Sequence, residues 1–163
     1  MIGTKFNKPV EDLEMYSSCA EWCNQNNATI EDKGEYYECV AIPAPSLDEL
    51  KQAKINEFKS KRDSLEVEPI EYNGNSYDYD DKARDRINSA IIALSITGQS
   101  IEWTTADNTN VTVTADDLRG IVANVAVRSN ELHVKYRELK ERVESCTTKE
   151  ELDSIKWDGE NSV

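Results

Sequence analysis

TADDLRGIVANVAVRSNELHVKYRELKERVESC, residues 114–146, is the stretch around which the rest of the chain has to be arranged. Leu118, Val125, Leu132, Leu139 and Cys146 recur every seven residues, and Val122, Ser129, Tyr136 and Val143 form a companion series between them. Steps that alternate between four and three place both series on one seam of a long helix. After Gly120 no glycine or proline interrupts it. Arg137, Glu138, Lys140, Glu141 and Arg142 flank the seam and suit an exposed face. Two readings stand: an amphipathic helix packed on its own domain, or a self-associating coiled coil. Ile121 and Ala126 broaden the apolar face in the first half, which favours packing within the chain there. The second half, with Leu132, Tyr136, Leu139 and Val143, is the candidate partner-facing stripe.

Working towards the N-terminus, Thr114 is the expected helix cap, with Asp117 at the third helical position. Ile101 and Trp103 alternate before ADNTN, and Val111 and Val113 alternate after it, which reads as a hairpin. The helix before that hairpin starts at Asp80 or Asp81 and stops at Gly98. Ala83, Ile87, Ala90, Ile91 and Leu94 form its apolar stripe. Ile92 and Ile96 widen the stripe, so this helix is expected to be the most buried. Another hairpin precedes it: Ile70 and Tyr72, the turn Asn73-Gly74, then Tyr77 and Tyr79. The first helix of the series opens on the capping-box pattern Ser46-Leu47-Asp48-Glu49 and ends at Glu68-Pro69. Its apolar set is Leu47, Leu50, Phe58 and Leu65, with Ala53 and Ile55 at the edge. After the long helix, Thr147 and Thr148 with Glu150 and Glu151 start a short turn carrying Leu152, Ile155 and Trp157. Residues 46–157 are therefore expected to be an α+β domain, three main helices with two β-hairpins in the order α-ββ-α-ββ-α. Residues 158–163 form a polar tail.

Residues 1–43 read as a separate small unit, a strand, a helix and a hairpin. MIGTKF supplies the strand, and Met15, Cys19, Trp22 and Cys23 share one side of the helix. Asn26-Asn27 ends that helix. Asp32-Lys33-Gly34-Glu35 forms the turn between arms carrying Ile30 and, on the return, Tyr37 and Cys39. Pro43-Ala44-Pro45 marks the boundary.

The composition excludes several functions. The 163 residues carry 32 acids against 19 bases, a net charge of −13. Such a field repels nucleic-acid phosphates and anionic membrane surfaces. No apolar run approaches the roughly 18 residues of a transmembrane helix. The first residues lack the apolar region of a signal peptide, so free thiols are expected. Cys19, Cys23 and Cys39 are expected to be buried structural thiols. A three-cysteine zinc site is the alternative, but zinc sites of this kind use two short cysteine pairs and here a fourth ligand is missing. His133, the single histidine, has no nucleophile motif to serve, and no phosphate-binding or metalloprotease pattern is present. Asp80-Asp81 and Asp116-Asp117 are expected to complement helix N-termini, not to bind a cation. Asp78 and Asp80 have the start of a calcium loop without its spacing. No catalytic, cofactor-binding or metal residue is expected.

A set of short motifs adds a resemblance. They are Arg62, then Ile70-Glu71-Tyr72-Asn73-Gly74 and Tyr77-Asp78-Tyr79-Asp80, then Ile101-Glu102-Trp103 and Asp107-Asn108. Val113-Thr114, Lys135-Tyr136-Arg137 and Thr148-Lys149-Glu150-Glu151-Leu152 follow, with Ile155 and Trp157 last. In this order, from about Lys54 to Trp157, the chain resembles a domain of unknown function found mostly in tailed bacteriophages and prophages. That family is similar to the C-terminal part of tail fibre assembly proteins, and its members are often encoded beside tail fibre genes. The resemblance implies a non-enzymatic tail-associated protein: an assembly chaperone for a trimeric fibre, or a structural component of the virion tail. It places the protein in the host cytoplasm during assembly or on the tail, with a tail fibre or other tail protein as partner, or a second copy of itself. From the charge alone, an acidic inhibitor of a host defence protein is a further reading.

Overall fold

The computed structural model describes residues 1–158, so that of the tail expected at 158–163 all but Asp158 lies outside the described residues. Over those residues it is a mixed α+β structure with five helices and small antiparallel sheets. The chain divides into two compact units, Met1–Ser46 and the remainder from Leu47.

The first unit contains β1 (Lys5–Asn7), α1 (Leu13–Gln25), β2 (Ala28–Asp32) and β3 (Tyr36–Ala41). The sheet order is β1-β3-β2, with both pairings antiparallel. Asp12 caps α1 by accepting from the Met15 N–H at 2.9 Å. Asn27, at φ 49°, turns the chain out of the helix into β2. Phe6, Cys19, Cys23, Ala28 and Cys39 form the core, with Tyr16, Trp22, Ile30 and Tyr37 packed around it. Met15, expected on the inner face, is 47% exposed. Tyr16 takes the inner place and meets Phe6 and Tyr37 edge-on, with ring centroids 5.1 and 5.8 Å away.

The second unit runs α2 (Leu47–Glu66), β4 (Ile70–Tyr72), β5 (Asn75–Tyr77), α3 (Asp81–Thr97), β6 (Ile101–Thr104), β7 (Asn110–Val113), α4 (Ala115–Ser145) and α5 (Lys149–Ser154). Among the described residues, β4 pairs only with β5, and β6 only with β7. The β4–β5 turn is Asn73-Gly74, both at positive φ (48° and 77°). That geometry matches the right-handed twist of the two strands it joins. The loop of the second hairpin is tied to the first: the Ala106 N–H donates to the Ser76 carbonyl at 2.8 Å.

The 31 residues of α4 span about 46 Å at 1.5 Å per residue. A helix of that length outruns one core, and two cores lie along it. Leu118 and Ile121 of the first half pack with Tyr77, Ile87, Leu94, Trp103 and Val113. Leu139, Val143 and Cys146, at the other end, pack with Phe58, Leu152, Ile155 and Trp157.

One expectation about burial is corrected. α3 is not the most buried helix: 12 of its 17 residues are exposed, against 16 of the 31 in α4. Ile92 and Ile96 are 65% and 81% exposed. Five positions beyond Ile87, Ile92 is rotated about 140° around the helix from it, and Ile96 continues that outer row.

Candidate functional site

The predicted partner stripe is answered from within the chain. Leu139 and Val143 are 5% and 0% exposed and sit in the core with Phe58 of α2 and Leu152 of α5. Leu132 and Tyr136 are half-buried against the same core. The Arg62 guanidinium of α2 lies over the Tyr136 ring, 4.8 Å from its centroid. Phe58 and Trp157 meet with ring centroids 6.1 Å apart, and Lys135 lies over Trp157 at 5.2 Å. The heptad pattern thus meets an intrachain seam: Leu139 and Val143 of the stripe are corrected to packing, with Leu132 and Tyr136 half-buried beside them. An amphipathic helix needs only one apolar neighbour to satisfy its seam, and α2 and α5 supply it.

The middle of α4 is fixed by polar contacts. Arg128 donates to the carbonyl oxygens of Glu66, Glu68 and Pro69 at 2.9, 2.8 and 3.1 Å. The first is an orphan acceptor of the last turn of α2, and the other two lie in the link to β4. Ser129 Oγ donates to the Glu66 carboxylate at 2.9 Å, and His133 Nε2 lies 3.3 Å from the same oxygen. His133 thus flanks a structural carboxylate on an exposed helix face. Further along, Gly120 gives way to Tyr72: a Cβ on Gly120 would fall inside 3.0 Å of the Tyr72 ring and hydroxyl.

The acidic pairs serve as helix starts. Asp80 accepts from the Ala83 N–H at 2.8 Å. Asp117 accepts from the Thr114 N–H at 2.9 Å, and Thr114 Oγ1 accepts from the Asp117 N–H at 3.2 Å. The Thr114 hydroxyl, donating to Asp117 Oδ2 at 2.6 Å, and then the Thr114 N–H hold the Asp117 carboxyl below its usual range. Thr148 and Glu151 repeat the box at α5.

Two features remain after this structural work. One is the outer row of α3, where Ile92 and Ile96 stand one turn apart in solvent. The other is the thiol cluster. α1 carries Cys19 and Cys23 on one face, and β3 brings Cys39 to them. The three Sγ atoms lie within 4.8 Å of one another, with Cys23 and Cys39 at 3.3 Å. All three residues are buried, at 0%, 3% and 0% exposure. Burial raises the Cys19 thiol and pushes that of Cys23 up to about 12. They are the one group of three or more cysteine, histidine or acidic side chains among the described residues placed to share a metal ion.

No curated protein and no solved structure matches the chain. Among the described residues, no helix is long and apolar enough to cross a membrane. Residues 49–156 match DUF4376, a domain of unknown function, and span α2 through α5. Most of the unit that follows Ser46, with its two hairpins and its seam, is therefore that domain, and the chain belongs to the DUF4376 family.

Proposed function

We propose that the protein is a non-enzymatic tail-associated protein of a tailed bacteriophage, an assembly chaperone for the tail fibre acting in the host cytoplasm. The resemblance carried by residues 54–157 supports this reading, and those residues nearly coincide with the family domain at 49–156. The structural observation that carries it is the row Ile92–Ile96. The seam on α4 is spent on the chain's own core, whereas two isoleucines one turn apart on α3 face water. Set side by side on one helix face, they offer another protein a small apolar contact. The proposed occupant is a subunit of the fibre before it trimerises.

The test is co-expression with the fibre protein of the same phage. Wild-type protein is expected to raise the soluble, trimeric fraction of the fibre and to co-purify with its monomer. The double variant Ile92→Asp/Ile96→Asp is expected to lose both effects while keeping the wild-type unfolding midpoint. Fibre solubility and trimerisation that do not respond to the wild-type protein would end this reading.

A second reading, a stoichiometric component of the tail, is favoured by the separate Met1–Ser46 unit, which lies wholly outside the family match and has its own core. Mass spectrometry of purified particles separates the two. A chaperone is absent or trace, and a component is present at a symmetric copy number.

A further inference from the structure

We propose that Cys19, Cys23 and Cys39 form a trithiolate site for one thiophilic d10 metal ion, Cu(I) or Zn(II), that clasps α1 to β3. The geometry is the first argument. Three sulfurs around a common ion at about 2.3 Å lie roughly 4.0 Å apart. The observed separations, 3.3 Å for Cys23–Cys39 and none above 4.8 Å, bracket that value. The i, i+4 spacing of Cys19 and Cys23 puts both sulfurs on one helix face, and the paired strand β3 fixes the third.

The second argument is the core these residues occupy. Of the five buried apolar residues in the Met1–Ser46 unit, three are these cysteines and a fourth is Ala28. Only Phe6 is large. Units of this size seldom bury enough apolar surface by themselves and commonly carry a disulfide or a structural metal. A thiol buries little area, so three at the centre of a small core are better explained as ligands than as fillers.

The third argument is softness. A ligand set of sulfur alone selects Cu(I) or Zn(II) over Mg(II) or Ca(II). No histidine or carboxylate joins the group among the described residues. Cu(I) is satisfied by three sulfurs, whereas Zn(II) would take a fourth donor from the backbone or from water. On loading, three S–H bonds break, three metal–sulfur bonds form and three protons leave. Because the ligands must lose their protons to bind, affinity rises with pH.

The test uses the full chain, reduced and kept anaerobic, in two arms: Cu(I) against a bicinchoninate competitor, and Zn(II) against a chromogenic chelator. In at least one arm the chain is expected to hold one ion per molecule. X-ray absorption should then show three sulfur neighbours near 2.3 Å, with a rise of roughly 5 °C or more in the unfolding midpoint. Cys19→Ser and Cys39→Ser should each weaken retention at least tenfold, and Cys146→Ser, in the other unit, should leave it unchanged. The spectroscopic reading on wild-type protein stands even if a serine variant unfolds. Failure to hold either ion at one per chain, or fewer than three sulfur neighbours around a held ion, would overturn the proposal.

Discussion

Arg128 on α4 closes the end of α2 by donating from Nη2 to the main-chain oxygen of Glu66 at 2.9 Å. Nη1 of the same guanidinium reaches the carbonyls of Glu68 and Pro69. Pro69 lacks an N–H, and the chain must leave the helix before it, so the last carbonyls of α2 need donors from elsewhere. A planar five-donor fork supplies them in a way an ammonium cannot. Arg128→Ala should therefore destabilise the domain by about 1–3 kcal/mol, and Arg128→Lys should recover less than half of that. Urea unfolding of the three proteins measures it. An Arg128→Lys variant as stable as wild type would show that charge alone suffices.

Gly120 sits inside α4, where glycine costs about 1 kcal/mol relative to alanine. The close approach of Tyr72 explains its presence. Gly120→Ala gains the helix propensity but must displace the Tyr72 ring from α4, and overpacking costs about 1–3 kcal/mol. The net expectation is a loss of stability. Adding Tyr72→Ala should reverse its sign, so that Gly120→Ala becomes stabilising in that background. A double-mutant cycle reads this coupling directly. Equal effects of Gly120→Ala in both backgrounds would rule out the contact.

How far the residues announce this structure depends on whether a signal is local. The Asn73-Gly74 turn, the Thr114/Asp117 and Thr148/Glu151 boxes and the stop at Gly98 are written within four residues of where they act, and each is legible in the sequence. The destination of a face is a different matter. The heptad series on α4 states that a seam exists, and it reads the same whether the partner is α2 or another chain. Ile92 and Ile96 show the converse limit. They fall close enough to the helical stripe to be counted with it, yet the packing partner covers a narrower arc than the apolar residues occupy. Long-range contacts such as Arg128 with Glu66 leave no pattern in the sequence. The thiol cluster is halfway: Cys19 and Cys23 share a face by spacing, but only the sheet register brings Cys39 to them.

The correction to the α4 stripe has its own consequence. Leu139→Ala removes a side chain buried in the core that α4 shares with α2 and α5, so it should cost about 2–5 kcal/mol. Ile92→Ala and Ile96→Ala, on the outer face of α3, should each stay within about 0.5 kcal/mol of wild type. The two sites should separate in the opposite sense in fibre binding. Circular dichroism melts together with pull-down of the fibre protein give both readings. A stable Leu139→Ala variant that had lost its partner would restore the outward stripe and refute the core assignment.

Acid should unfold the protein through its helix caps. Asp117 is held below its usual range first by the Thr114 hydroxyl and then by the Thr114 N–H. Glu151 is held down by the N–H groups of Thr147 and Thr148 and by the Thr147 hydroxyl. In both cases the folded chain binds its proton at lower pH than the unfolded chain does. Each carboxylate therefore contributes stability that is fully present above the unfolded carboxyl pKa of about 4 and is lost as pH falls through the lower, folded value. Titrating a protein of net charge −13 towards neutrality also relieves self-repulsion, which acts in the opposite direction. Single variants isolate the caps from that background. Asp117→Asn and Glu151→Gln should each be less stable than wild type at pH 7 and should converge with it between about pH 4 and pH 2. Thermal midpoints measured across that range would show the gap closing. A gap of constant size would mean that the lost stability comes from the shape of the cap and not from the charge on its carboxylate.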